Sequence, residues 1–171
     1  MWTLIDDQIP FLTGFIIIYL LAFLQWIIGY ILIARESRKV CFSLFSAELI
    51  AKLICLFCFL IIPTTITRPE INGTGLCAQL TKLTFRMDEP NNLFPSIHCL
   101  ESWFCFRGAL RLKKVPAWYA PVCLVMTLLV FASTVCVKQH VFVDIPAALI
   151  TAEAAVWFAR RTGAERIFPA L

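Results

Sequence analysis

The stretch FLTGFIIIYLLAFLQWIIGYILIA, residues 11–34, runs for 24 positions without a charge. A helix needs about 20 such residues to cross the hydrocarbon core of a bilayer, so this segment can span with tilt to spare. It sets the fold class: an all-α integral membrane protein. A cleaved signal peptide would open with a basic region and end a shorter apolar stretch at a small-residue cleavage site. Here Asp6 and Asp7 come first and no such site follows, so the run reads as a permanent helix.

Outward from it lie four more apolar runs, 40–62, 94–110, 118–137 and 142–159. They predict about five transmembrane helices in one bundle, a single membrane domain over residues 1–171. Composition agrees, with 60% hydrophobic and 15% charged residues and a mean hydropathy of +0.83, where soluble domains run near 45–50% apolar and 25% charged. Pro63, Pro95 and Pro116 fall at or near run boundaries, where a missing N–H matters least. The eight cysteines lie mostly inside the runs, which argues against a secreted disulfide framework. Cys55 and Cys58 form a CxxC without a second ligand pair or a nearby histidine, so no metal is expected there.

The net charge of +4 reports topology rather than nucleic-acid binding. Arg35, Arg38 and Lys39 follow the first run, Arg107, Arg111, Lys113 and Lys114 the third, and Arg160, Arg161 and Arg166 the fifth, ten of the fifteen basic residues. Lys and Arg stay in excess on the cytoplasmic side. The expected arrangement is multi-pass, in the plasma membrane, with the N-terminus outside and the C-terminus cytoplasmic. The segment 63–93 is then an outer one, too polar to span. Within it Leu76, Leu80, Leu83 and Met87 recur at helical spacing opposite Gln79, Lys82 and Arg86. This predicts a short amphipathic helix over 76–87, either lying in the interface plane or packed on the bundle as a cap. Asn72-Gly73-Thr74 fits a glycosylation sequon and a turn, and the turn is the reading adopted.

His98 and His140, the only two histidines, are separated by 42 residues, two passes and a turn. Topology returns them to one face, together with Arg68, Ser96 and Asp144. Arg68 offers a planar fork of donors suited to phosphate. Pro95-Ser96 opens a helix whose free N–H groups and positive dipole end attract an anion, with the Ser96 hydroxyl as a further donor. An imidazole can accept a phosphoryl group or protonate a leaving alkoxide. Asp144, four residues after His140, can hold one ring nitrogen protonated and aim the other at phosphorus. This points to metal-free phosphoryl transfer without a cofactor, His140 as nucleophile and His98 as acid, the catalytic set being His140, His98 and Asp144.

Pro95-Ser96-Ile97-His98 and Ser133-Thr134-(five residues)-His140-(three residues)-Asp144 resemble the second and third signature motifs of the type 2 phosphatidic acid phosphatase superfamily, and Arg68-Pro69 resembles the end of its first. The resemblance covers roughly residues 60–160. It implies a lipid phosphatase or phosphotransferase acting through phosphohistidine, with Arg68, Ser96 and Ser133 at the substrate phosphate. Two cations of the family pattern are missing, since Ile61 stands where a Lys is usual and Thr134 where an Arg is usual. Lys138 is the expected replacement, because an extended loop would point it the same way as His140. Lys138-Gln139-His140 is also similar to the variant branch of inositol-phosphorylceramide synthase-like proteins. Family members usually have six spans, one more than the runs of this chain provide.

The expected activity is therefore hydrolysis of a phosphomonoester or diphosphate lipid headgroup at the outer face. The partners are a phospholipid or polyprenyl phosphate substrate and membrane lipids, with no nucleic acid. Transfer to an alcohol acceptor is the alternative, and a non-catalytic lipid-binding protein a third reading, kept open by the missing cations. Glu101, one turn after His98, and Thr134 are candidate supporting residues. Glu101 orients that imidazole or bonds a neighbouring helix. Glu48, Lys52 and Glu153 read as contacts between helices, and Trp103, Trp118 and Trp157 as interface anchors.

Overall fold

A computed structural model describes residues 3–163, so Arg166 lies outside the described residues. The order is α1 (Leu4–Gln8), a 3-10 turn (Thr13–Phe15), α2 (Ile16–Glu36), α3 (Arg38–Ile61), α4 (Leu76–Met87), α5 (Ile97–Ala109), α6 (Tyr119–Cys136) and α7 (Asp144–Thr162). No strand occurs among the described residues; the sole pairing of extended backbone is an isolated bridge between Thr65 and Asn91. The protein is all-helical, as its sequence leads one to expect.

Three helical segments, Thr13–Glu36, Arg38–Ile61 and Tyr119–Cys136, are long and apolar enough to cross a membrane. The runs 94–110 and 142–159 also fold as helices, over shorter or shifted bounds. At 1.5 Å per residue the 13-residue α5 is only about 20 Å long. It is the central helix, packed against α2, α6 and α7 and touching α3. The 19-residue α7 carries Asp144, Glu153, Arg160 and Arg161 and packs against α3. The α3–α7 seam is built from small side chains: Ala47, Ala51 and Cys55 on one helix and Ala148, Ala152, Ala155 and Ala159 on the other, all buried. Small residues at such spacing let backbones approach closely, which is how helices associate where lipid removes the hydrophobic drive. Glycine does the same between α2 and α5. A Cβ on Gly29 would fall 2.8 Å from Cys105 Sγ, and one on Gly108 would clash with Ile33 Cδ1. Outward-facing Leu24, Ile27, Leu53, Phe57, Val125 and Ile150 are exposed, an apolar skin suited to lipid.

The polar residues inside the runs meet one another. Lys52 bridges Glu48 at 2.7 Å and Glu101 at 2.8 Å, and the Tyr30 hydroxyl donates to Glu101. Glu101 is therefore bonded to α2 and α3. The expectation that it orients His98 gives way to the alternative, because the Lys52 ammonium and the Tyr30 hydroxyl occupy its carboxylate. Glu153 takes Trp103 Nε1–H at 2.8 Å and Arg107 Nε–H at 3.1 Å. These pairs join helices, as buried polar groups in membrane bundles do.

The amphipathic α4 occupies the residues that its periodicity marks. Ala78 and Thr81 are buried, and Cys77 and Leu80 pack on Ile16, Tyr19 and Val137, so one face caps the bundle. Leu76, Leu83 and Met87 remain exposed on its outer side.

Candidate active site

The site lies where the start of α2, the segment after α3, the start of α5, the end of α6 and the start of α7 meet. Ser96 begins α5 as its N-cap, its hydroxyl oxygen accepting from Cys99 N–H at 3.3 Å. A residue in that position satisfies one of the otherwise unpaired N–H groups of a first turn. Two residues on, His98 projects from that turn. Its Nδ1 lies 3.3 Å from the Tyr19 hydroxyl, and the Tyr19 and imidazole rings stack with centroids 4.2 Å apart. Trp26 and Phe23 close around the same ring at 5.1 and 5.6 Å. His98 Nε2 is buried and meets no hydrogen-bonding partner among the described residues.

His140 faces it, the two imidazole centroids being 6.2 Å apart. Its Nδ1 is 3.0 Å from Asp144 Oδ2, which also accepts Val141 N–H at 3.2 Å. A carboxylate can only accept, so this contact makes Nδ1 the protonated nitrogen and leaves the lone pair on Nε2. The loop that carries His140 is anchored on α6, where Thr134 C=O accepts from both Gln139 N–H at 3.0 Å and His140 N–H at 3.1 Å.

Arg68 is held along three sides. Its Nη1 donates to Phe85 C=O at 3.1 Å and to Asp88 C=O at 2.5 Å, its Nη2 donates to Gln139 Oε1 at 2.5 Å, and its guanidinium lies 4.6 Å from the Phe85 ring centroid. Nε is buried without an acceptor among the described residues. Burial lowers the guanidinium pKa from its usual value, against the raising effect of the nearby Asp88 carboxylate. A guanidinium starts so far above neutrality that it stays charged. The stretch that delivers it runs beside the residues before α5: Thr64 C=O accepts Asn92 N–H at 2.8 Å, and Thr64 Oγ1 accepts Leu93 N–H at 2.8 Å and Phe94 N–H at 3.2 Å.

The remaining expected phosphate ligands, Ser133 and Lys138, and the supporting candidate Thr134 fare differently. Ser133 and Thr134 donate to the carbonyls of Val130 and Phe131 at 2.7 and 2.8 Å, inside their own helix, and both are buried. Lys138 departs from the extended loop that the sequence suggests. Its φ is 53°, a left-handed conformation, and its ammonium bonds Asp6 C=O at 2.9 Å and Ile9 C=O at 2.7 Å. With this left-handed turn the side chain reaches the N-terminal segment.

That segment is the part of the site that sequence reasoning missed. Asp6 Oδ1 accepts Phe142 N–H at 2.7 Å, its Oδ2 accepts from the Thr3 hydroxyl at 2.6 Å and Thr3 N–H at 2.8 Å, and Leu12 N–H reaches Cys136 C=O at 2.9 Å. Burial alone would raise the Asp6 carboxyl pKa; the bonds from Thr3 and Phe142 and the Lys138 charge outweigh it and hold the group below its ordinary value. Tyr19 and Gln139 are the other omissions. Tyr19 carries a signal in hindsight, being one of the few hydroxyl or amide side chains in an otherwise aliphatic run.

A family model for the PAP2 superfamily matches residues 36–168. The chain belongs to the PAP2 superfamily. No curated protein and no solved structure matches it. PAP2 superfamily membership brings phosphoesterase-type chemistry on lipid phosphates, as phosphatase or phosphotransferase in general. The match begins at Glu36, so the helix that supplies Tyr19 and the segment that grips the His140 loop both precede the matched region.

Proposed function

We propose that this PAP2 protein is a metal-independent lipid phosphate phosphatase that hydrolyses a phosphomonoester or diphosphate headgroup through a phosphohistidine. The observation that carries the reading is the pair of imidazoles, 6.2 Å apart, one polarised by Asp144 and the other presenting a buried Nε2 without a partner. The His140 Nε2 lone pair attacks phosphorus as the P–O bond to the lipid breaks. The electron pair of that bond leaves with the lipid oxygen, which takes the proton from His98 Nε2. Asp144 stabilises the positive charge that develops on the His140 ring. Water then attacks the phosphohistidine and gives a proton to His98. The P–N bond breaks, its electrons return to His140, and inorganic phosphate departs. Arg68, fixed by carbonyls and by Gln139, steadies the phosphoryl oxygens with its Nε–H, the kind of preorganised donor that stabilises developing charge. The basic loops at the other end of the bundle support a site on the non-cytoplasmic side.

Purified protein in detergent, with EDTA present, should release phosphate from at least one of phosphatidic acid, phosphatidylglycerol phosphate and a polyprenyl diphosphate. His140→Ala should abolish release. Label that appears only on an added alcohol would reassign the protein as a phosphotransferase. No turnover and no trapped phosphohistidine on any substrate would leave a lipid-binding role.

A further inference from the structure

Ser133 and Lys138, both expected at the phosphate, are bonded to backbone carbonyls instead. We propose that Gln139 is a phosphate-binding residue, its side-chain amide donating from Nε2 to a phosphoryl oxygen. This rests on the phosphoryl-transfer reading above and names a further ligand within it.

Orientation comes first. Gln139 Oε1 accepts from Arg68 Nη2 at 2.5 Å. A guanidinium has no acceptor atom, so the oxygen must face Arg68 and the amide nitrogen must face away from it. That nitrogen is buried and has no partner among the described residues. The residue as a whole is 0% exposed, and its backbone N–H is tied to Thr134 C=O at 3.0 Å, so the side chain has no route to solvent. Buried donors are nearly always paired, and one without a partner calls for an explanation. Here three occur around His140: Gln139 Nε2, Arg68 Nε and His98 Nε2. Gln139 is bonded to Arg68 and adjacent in sequence to His140, whose ring faces His98. A tetrahedral anion with several oxygens satisfies such a group of donors at once.

The amide is suited to this place because it does two things. Its oxygen accepts from Arg68 while its nitrogen donates to the anion. Glutamate could do the first and not the second; lysine could do the second and not the first.

That asymmetry gives the test. Gln139→Glu keeps an acceptor for Arg68 and removes the donor. Orthovanadate, which mimics the phosphoryl group in transfer, is titrated calorimetrically into the full-length protein. At pH 7 the Gln139→Glu protein should bind vanadate at least tenfold more weakly than wild type. The gap should narrow toward pH 5 as the carboxyl gains a proton it can donate. Vanadate affinity within twofold of wild type at pH 7 would overturn the proposal and reduce Gln139 to a positioner of Arg68. If the Glu variant fails to fold, Gln139→Met provides the same comparison, with undiminished affinity again overturning it. Wild-type protein that neither binds vanadate nor turns over any lipid phosphate overturns the phosphate site itself, and Gln139's role with it.

Discussion

Tyr19 touches His98 through a hydroxyl at 3.3 Å and a stacked ring at 4.2 Å, and the two contacts can be separated by substitution. The phenol oxygen can accept the Nδ1 proton of the imidazolium, which leaves the Nε2 proton to be given and taken. Tyr19→Phe keeps the ring and removes the bond, whose net worth is about 0.5–1.5 kcal/mol. The expected loss is up to about tenfold in kcat with little change in KM, and a shift of only the pH–rate limb that belongs to His98. An unchanged profile would reduce Tyr19 to packing. Asp144→Asn should be far more damaging, on the order of 10³–10⁴ in kcat, because an amide stabilises the wrong tautomer of His140. Stopped-time assays on the best lipid substrate measure both.

At the scale of elements, the decisive device is the strap formed by residues 3–12 across the loop between α6 and α7. It holds a left-handed lysine in place. A non-glycine residue there typically costs on the order of 1 kcal/mol or more, and two carbonyl bonds to the ammonium offset it. Lys138→Met should loosen the loop and lower kcat while substrate affinity changes little, the opposite of what removing a phosphate ligand would do. Asp6 makes the strap sensitive to acid. Its folded pKa lies below the unfolded value, so its contribution is complete above about pH 4. That contribution is lost as the pH falls through the folded value. Thermal unfolding in detergent from pH 6 to pH 3 should show wild type losing midpoint faster than Asp6→Asn, the two curves converging at the acid end. Parallel curves would remove the strap from the account.

Across the whole molecule, sequence and structure agree where a property is carried by runs and part where it is carried by single contacts. The helices over 97–109 and 144–162 were legible as apolar runs. The gathering of Arg68, His98, His140 and Asp144 was legible from topology, since successive passes must return to the same end. Lys138 was not, because nothing in Val137-Lys138-Gln139 announces a left-handed turn. Nor was the bond from Asp6 to Phe142, since a pairing across 136 positions leaves no local trace. Glu101 stayed between two roles because periodicity gives a helix face but not which neighbour occupies it. Its partner Lys52 yields a prediction at this scale. Lys52→Met leaves two buried carboxylates facing each other without a cation. Breaking a fully buried pair costs about 3–5 kcal/mol; Lys52 is half exposed, which argues for nearer 2 kcal/mol. Adding Glu101→Gln should recover part of the loss in denaturation monitored by circular dichroism.

The strap also imposes an order on biosynthesis. Asp6 lies ahead of α2, and the N–H it accepts belongs to Phe142, just before α7, so 136 positions of chain separate the two. Contacts so distant in sequence form late. A nascent chain with four or five helices inserted therefore carries His98 and Tyr19 without a fixed His140 opposite them. On the proposed mechanism, the two imidazoles come into register only once the chain has been made through α7, so a nascent protein short of that helix would be inactive toward the membrane that is receiving it.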